Sequence, residues 1–220
     1  MNSKKIEEFL FWFQLVIAWM FSVPQIIRMT ENTQGVTTAL YVLFMTFIGI
    51  NMMLAIRAYK HKKDRSRGQA IIVYANWSIL IGAHLVIAFK YVPWRVSDYY
   101  FIIGAILATV TTLMIAKTWK GLGYEDAIVR GIVACLCKAG PQLYLTGCII
   151  MDRSGQGLAA TTIWAGHASV LTRIAHLAYC GKRTGVDRNI KGILISEIGN
   201  EISWICVTAA WLYFQKAALY

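Results

Sequence analysis

Charged residues are scarce in this chain: only 15% of its 220 residues are charged, whereas 57% are hydrophobic. That composition leaves no room for a separate soluble domain of ordinary size. The apolar runs are also continuous and too long for single strands, which excludes a strand-rich barrel. We therefore predict one integral membrane domain over residues 1–220, with an all-α fold.

Signatures of catalysis and of metal binding are missing as well. The chain has no Ser-His-Asp order, no phosphate-binding glycine loop and no pair of Cys-x-x-Cys motifs among its five cysteines. None of His84, His167 and His176 has a metal-ligand spacing to another histidine or carboxylate on the same helix. These absences argue against an enzyme, and we predict neither a metal site nor a cofactor.

Long apolar segments dominate what is present. A spanning helix needs about 20 mostly apolar residues to cross roughly 30 Å of hydrocarbon. Seven segments of the chain meet this length and are joined by short polar connections. They cover residues 9–28, 37–57, 69–89, 98–118, 126–150, 158–179 and 190–214.

Lysine and arginine residues are concentrated in one set of these connections. Fifteen of them lie in the N-terminal arm and after the second, fourth and sixth segments, against five in the other connections and at the C-terminal end. Because positively charged connections stay on the cytoplasmic side, we predict a cytoplasmic N-terminus and an outside C-terminus, in a bacterial inner membrane. The connections also account for the net charge of +11, so nucleic-acid binding is not expected.

The two halves of the chain share a short pattern. Pro24 and Gln25 lie about fifteen residues into the first segment, and Pro141 and Gln142 lie about fifteen residues into the fifth. A Gln-Gly pair follows each dipeptide and stands just before the next apolar segment. Weak internal similarity of this kind is typical of transporter folds that are built from repeats.

The repeats each contain three segments. Two copies with an odd number of helices can be parallel only if one further helix inverts the chain between them. We therefore predict a three-plus-one-plus-three arrangement, with repeats at residues 9–89 and 126–214 and a linker helix at residues 98–118.

In its paired Pro-Gln dipeptides, its Gln-Gly pairs and its seven segments, the chain resembles the PQ-loop superfamily. That group includes SWEET sugar transporters, cystinosin-like amino-acid exporters and the KDEL receptor. The resemblance implies two parallel three-helix bundles around a central pathway, with Pro24 and Pro141 at bends that let each bundle rock. The family places the N-terminus outside or in the lumen. The distribution of basic residues in this chain predicts the opposite orientation.

The dipeptides have a physical interpretation of their own. A proline inside a helix removes one backbone hydrogen bond and leaves a carbonyl free. The amides of Gln25 and Gln142 are candidate donors to such a group, in their own helix or in a neighbour. The alternative is a fixed bend with no moving part.

Four ionisable residues lie deep in the apolar segments, where charge costs several kcal/mol. Glu197 and Glu201 are four residues apart and share one helix face. Arg173 and Glu197 lie at similar depth in consecutive helices, which predicts an ion pair between them. Lys138 and Glu201 lie nearer the midplane, where they are candidates to pair with each other or with a ligand. All four residues can instead form a structural network that holds the helices together.

Other candidate site residues lie at the same depth. Asn76 and Asn200 take equivalent places in the two repeats, and the SWEET resemblance implies substrate contacts there. Trp204 shares the face of the two glutamates and is a candidate for stacking on a ligand. His167 is either a proton relay or a satisfied interhelical donor. The predicted substrate-binding set is Asn76, Asn200, Glu201, Trp204 and Lys138, and the predicted coupling set is Glu197, Arg173 and His167.

Together these features favour a secondary carrier for a small polar metabolite, amino-acid-like or sugar-like, that works by alternating access through a midplane site. The mixed charges favour a zwitterion, and a glutamate that takes up a proton offers proton coupling. The alternative is a receptor or scaffold of the same fold that does not transport. The expected partners are a small-molecule substrate and membrane lipid, and a homo-oligomer remains open.

Overall fold

The computed structural model describes residues 3–61, 63, 65–124, 126–184 and 188–217. Within these ranges every regular element is a helix, which confirms the predicted fold class. The α-helices, in chain order, are α1 (Ser3–Glu31), α2 (Thr38–His61), α3 (Arg65–Tyr91), α4 (Val96–Thr118), α5 (Ala127–Ala134), α6 (Gly140–Asp152), α7 (Ala160–Thr184) and α8 (Arg188–Ala217).

One π-helical turn, Cys135–Ala139, joins α5 to α6, so that Ala127–Asp152 forms a single continuous rod. Each of the seven predicted segments therefore falls on one rod. Five rods are long and apolar enough to cross a membrane: Glu8–Glu31, Thr38–His61, Arg67–Tyr91, Val96–Thr118 and Ala127–Asp152. In the part of the chain that the structure describes, α7 and α8 are not among them.

The two prolines of the repeated dipeptide have different surroundings. Pro24 lies inside the uninterrupted helix α1, whereas Pro141 lies in the first turn of α6, directly after the π-helical turn. There the N–H of Gly140 donates to the carbonyl of Cys135, and a Cβ atom on Gly140 would lie 2.9 Å from that oxygen. A π-helical turn widens the backbone locally and is often found where helices change direction. The sequence pattern gave no sign of this difference between the two copies.

Helix packing follows the same order in both halves. In the first triplet, α3 packs against both α1 and α2. In the second triplet, which consists of the rod Ala127–Asp152, α7 and α8, the last helix packs against both the others. Between the triplets, α1 packs against α7 and α2 packs against the rod, while α4 covers α2 and the rod from outside.

The outer surface of the helices is apolar. Large hydrophobic side chains that are more than half exposed include Ile79, Val86, Leu107, Leu171 and Ile195. A soluble protein rarely exposes apolar surface on this scale. The surface is compatible with contact to lipid on all sides of the bundle.

Candidate functional site

A cavity of about 90 Å³ lies where the two triplets meet. Its walls combine aromatic side chains with a few polar and charged groups. The first triplet contributes Phe21, Phe44, Phe47, Ile48, Tyr74 and Trp77, and the second contributes Lys138, Gln142, Gly166, Ser169, Val170, Arg173, Glu197, Asn200 and Trp204. Apolar walls with a small number of convergent polar groups are the usual composition of a ligand pocket.

Glu197 is the charged centre of this cavity. Its Oε2 atom lies 2.7 Å from Lys138 Nζ, and its Oε1 atom lies 3.1 Å from Arg173 Nε. The carboxylate side chain is only 4% exposed, against 18% for Lys138 and 31% for Arg173. Both oxygens of the buried carboxylate are therefore held by cations.

The predicted ion pair between Arg173 and Glu197 is thus confirmed. The pairing of Lys138 with Glu201 is not found, because Lys138 bonds to Glu197 instead. Lys138 lies in the π-helical turn, where the extra residue changes the direction of a side chain relative to a regular helix. The depth of Lys138 within its apolar segment was therefore not enough to predict its ion-pair partner.

A second polar group follows the charged one along α8. In the orientation that satisfies its neighbours, the buried amide of Gln142 donates to Asn200 Oδ1 at 3.2 Å, accepts from Trp204 Nε1 at 2.9 Å and also contacts Ser203. Asn200 Nδ2 in turn lies 3.5 Å from Glu197 Oε2. The Gln142 amide therefore binds α8 of its own triplet and not a carbonyl next to Pro141.

His167 and Glu201 form a separate pair behind Trp204. Thr208 Oγ1 lies 2.9 Å from the carbonyl oxygen of Trp204 and 2.7 Å from His167 Nε2. On the other side of the ring, His167 Nδ1 is hydrogen-bonded to Glu201 Oε1 at 2.5 Å.

The remaining oxygen of this pair, Glu201 Oε2, is buried and has no hydrogen-bond partner among the residues that the structure describes. Neither Glu201 nor His167 lines the cavity, although both lie close to Trp204, which does. Of the predicted substrate-binding set, Lys138, Asn200 and Trp204 line the cavity. Glu201 lies one layer further out.

Asn76 also lies outside the walls of the cavity. Its Oδ1 atom accepts a hydrogen bond from Trp19 Nε1 at 3.2 Å, whereas the next residue, Trp77, lines the cavity. The indole of Trp77 packs edge-on against Phe21 with ring centres 5.6 Å apart. The two asparagines that the repeat alignment treats as equivalent therefore have different positions relative to the cavity.

A second cavity of about 440 Å³ lies between α2, α3 and α5. Its walls include Asn51, Ala58, Arg67 and Arg130, which lie toward the ends of the helices that carry most of the basic residues. Arg130 Nη2 lies 3.4 Å from Asn51 Oδ1. The two cavities share Tyr74 as a common wall residue, and the hydroxyl of Tyr74 lies 3.5 Å from Arg173 Nη2.

Three loops, residues 32–37, 92–95 and 153–159, lie together at the end of the bundle opposite to the second cavity. We call this end the closed end. Gly157 N donates to the carbonyl of Gln34 at 2.9 Å, so the two Gln-Gly pairs of the repeat meet directly. Gly35 has a φ of +76°, and a Cβ atom there would lie 2.2 Å from the carbonyl oxygen of Ser154. Glycine is required at this position because both the backbone conformation and the loop contact exclude a side chain.

Side chains reinforce the closed end. Gln25 Nε2 donates to the carbonyl of Gly157 at 2.8 Å, and its Oε1 accepts from Ala159 N at 2.9 Å. Asp152 Oδ2 accepts from Gly35 N at 2.9 Å and from Arg95 Nη2 at 2.5 Å. The repeat that sequence analysis identified therefore builds an interlocked contact between the two halves of the chain.

Asp98 is a further buried carboxylate at this end that sequence analysis did not single out as a site residue. It is fully buried and accepts hydrogen bonds from Thr37 Oγ1, from Tyr144 Oη and from the backbone N–H of Arg95. The signal for it was weak, because an aspartate in the first turn of a helix is ordinarily a cap. Tyr74 was missed as well, since a tyrosine in an apolar run gives no pattern that separates packing from a cavity wall.

One family model matches part of the chain. It is described as "Protein of unknown function (DUF2985)" and matches residues 29–105, less than half of the sequence. The matched region runs from the end of α1 into the first turns of α4. No curated protein and no solved structure matches the chain significantly.

Proposed function

We propose that this chain is a membrane carrier that moves a small metabolite by alternating access between two three-helix bundles. The observation that carries the proposal is the placement of the charged cavity between the two triplets, with one end closed by loops and a second cavity on the other side of Tyr74. A carrier in one of its end states needs these three parts: a central site, a closed gate and a vestibule.

The equal packing order of the two triplets supports this proposal. In each triplet the third helix packs against the first and the second, and α4 packs against one helix of each triplet, which supports a three-plus-one-plus-three arrangement. Gln25 and the Gln-Gly pairs join the triplets through contacts at the closed end. A rocking motion that breaks these contacts would open the closed end and close the other.

The proposed orientation follows the basic residues, with the N-terminus in the cytoplasm and the C-terminus outside. The closed end then faces outside, and the second cavity faces the cytoplasm. Proton coupling is part of the proposal, because His167 and Glu201, two groups that can carry a proton, are hydrogen-bonded to each other next to a wall residue of the central cavity. A proton taken up there changes the charge of the bundle by one unit.

Transport is tested by reconstitution of the full chain into liposomes and measurement of counterflow with radiolabelled amino acids, sugars and organic acids. A carrier accumulates label against an internal pool of the same solute, whereas a receptor or scaffold gives saturable binding without accumulation. The second result would overturn the proposal.

The gate has its own test, which uses the buried cysteine Cys148 of α6 as a reporter after the other four cysteines are replaced by alanine. Asp152→Asn weakens the bonds to Gly35 and Arg95 and should speed labelling of Cys148 by a maleimide added from outside. Glu31→Gln is the matched control, because it removes a carboxylate of an exposed pair with Arg28 that lies near the same end. Equal labelling rates for the two variants would contradict the assignment of this end as a gate.

A further inference from the structure

We propose that the ligand of the central cavity is a small monoanion with an apolar body, of the class of branched-chain monocarboxylates. This inference rests on the proposed carrier function and names its substrate class. It departs from the zwitterion that the mixture of charges in the sequence favours. The reason lies in how the charges are paired.

The charge balance of the cavity is positive. Two cations, Lys138 and Arg173, face one carboxylate, Glu197, and the described wall residues of the cavity include no second acidic side chain. An unbalanced charge in an apolar environment is costly unless a counter-charge joins it. One bound anion with a single charge would make the cavity neutral.

The pairing of Glu197 disfavours an ammonium group. Its Oε2 atom already binds Lys138 and its Oε1 atom already binds Arg173, so the amino group of a zwitterion would bring a third cation to a single carboxylate. Donors, by contrast, remain available. An ammonium has three N–H groups, of which Lys138 uses one for Glu197, and its Nζ otherwise lies 5.7 Å from the ring centre of Phe47.

The rest of the wall fits an apolar body. Phe21 packs edge-on against both Trp77 and Trp204, with ring centres 5.6 and 5.8 Å away, and Phe44 and Val170 complete this side. The small volume of the cavity, about 90 Å³, suits a short branched chain. A dicarboxylate would bring two negative charges to a cavity that has an excess of one positive charge.

The second cavity extends the positive lining toward the basic end of the bundle. Arg130 lies in its wall, no acidic side chain is among the residues described there, and Tyr74 separates it from Arg173. A passage of one charge sign raises the local concentration of the opposite ion. An anion would therefore be attracted along the same path that the carrier proposal uses for entry.

The experiment compares three probes of similar shape in a thermal unfolding assay of the full chain in detergent: 3-methylbutanoate, its neutral amide and valine. A ligand that binds only the folded protein raises its melting temperature. We expect stabilisation by 3-methylbutanoate and none by the amide or by valine at the same concentration. Stabilisation by valine or by the amide equal to that by the acid would overturn the inference.

Lys138→Met tests the charge balance, since it leaves Arg173 and Glu197 as a neutral pair. We expect the affinity for 3-methylbutanoate to fall by about tenfold or more, the loss typical of a hydrogen bond to a charged group. Lys117→Met removes the same charge from an exposed position of α4 and should leave the affinity unchanged. An unchanged affinity in Lys138→Met would contradict the inference.

Glu197→Gln provides a gain of binding that a folding defect cannot imitate. The substitution raises the net charge of the cavity walls from +1 to +2. A dianion such as 2,2-dimethylmalonate should therefore stabilise this variant and not the wild type. Failure of the dianion to stabilise the variant would count against the anion site.

The binding assay tests the anion site, and the liposome assay tests the carrier function, so the two proposals can fail independently. If 3-methylbutanoate stabilises the protein but shows no counterflow in liposomes, the anion site stands and the carrier proposal fails. If valine or a sugar shows counterflow and 3-methylbutanoate does not bind, the carrier proposal stands and the anion inference fails.

Discussion

Gln25 and Gly157 connect the two halves of the molecule through one hydrogen bond, from the buried side-chain amide of Gln25 to the backbone carbonyl of Gly157 at 2.8 Å. The other end of the same amide accepts from Ala159 N. Its counterpart in the second dipeptide, Gln142, bonds within its own triplet instead. The two copies of the Pro-Gln pattern therefore have different tasks, one between the triplets and one inside the second.

Gln25→Leu should destabilise the protein. The substitution leaves the carbonyl of Gly157 and the N–H of Ala159 without partners, which costs about 2–4 kcal/mol for the two groups. Thermal and urea unfolding in detergent measure the change. Gln14→Leu, at a half-buried position of the same helix, is the control and should stay within about 0.5 kcal/mol of wild type. Equal effects of the two substitutions would contradict the role of Gln25 as a connector.

Gly35→Ala should be more harmful than Gly121→Ala. Both glycines have a positive φ, +76° and +91°, so alanine is strained at either position by about 1–2 kcal/mol. Only Gly35 has a neighbour in the way, the carbonyl of Ser154, whereas a Cβ atom on Gly121 meets nothing within 4 Å. The difference between the losses in unfolding free energy of the two variants measures the contribution of the loop contact at the closed end. Equal losses would mean that this contact does not contribute to stability.

Glu197 and its two cations, Lys138 and Arg173, should be strongly coupled. Glu197→Gln leaves Lys138 and Arg173 close together without their carboxylate. We expect the free energy of unfolding to fall by about 3 kcal/mol, which is at the lower end for a broken buried pair because Arg173 is partly exposed. Adding Lys138→Met should recover part of that loss. A double-mutant cycle from denaturant unfolding measures the coupling. Strictly additive losses would show that Lys138 and Glu197 do not interact.

Glu201→Gln should abolish proton-coupled accumulation and leave substrate exchange intact. The variant removes the carboxylate that is hydrogen-bonded to His167, while the two cations that face α8, Lys138 and Arg173, keep their bonds to Glu197. We expect accumulation driven by a pH gradient to disappear and counterflow at equal pH to continue. Thr208→Val, which removes only the hydroxyl that contacts His167 Nε2, should retain pH-driven accumulation. Accumulation by Glu201→Gln at the wild-type level would assign the proton to another group.

The sequence predicted the helices well and their side-chain partners only in part. Apolar runs and polar connections located all seven rods, and five of these rods are long and apolar enough to cross a membrane. The ion pair of Arg173 with Glu197 followed from equal depth in consecutive helices. Equal depth failed for Lys138 and Glu201, because a partner must also lie on the facing side of its helix, and the π-helical turn at Cys135–Ala139 leaves no mark in the apolar pattern.

By itself, then, the sequence determined the all-α class, the position of each helix and the paired Pro-Gln and Gln-Gly elements, because these depend on local composition and spacing. The tertiary structure decided which residues meet: Glu197 between Lys138 and Arg173, His167 with Glu201, and Gln34 against Gly157. Such contacts depend on how each helix is rotated and how the triplets pack against each other. Rotation and packing are set by the combined fit of distant segments, and no single segment encodes them.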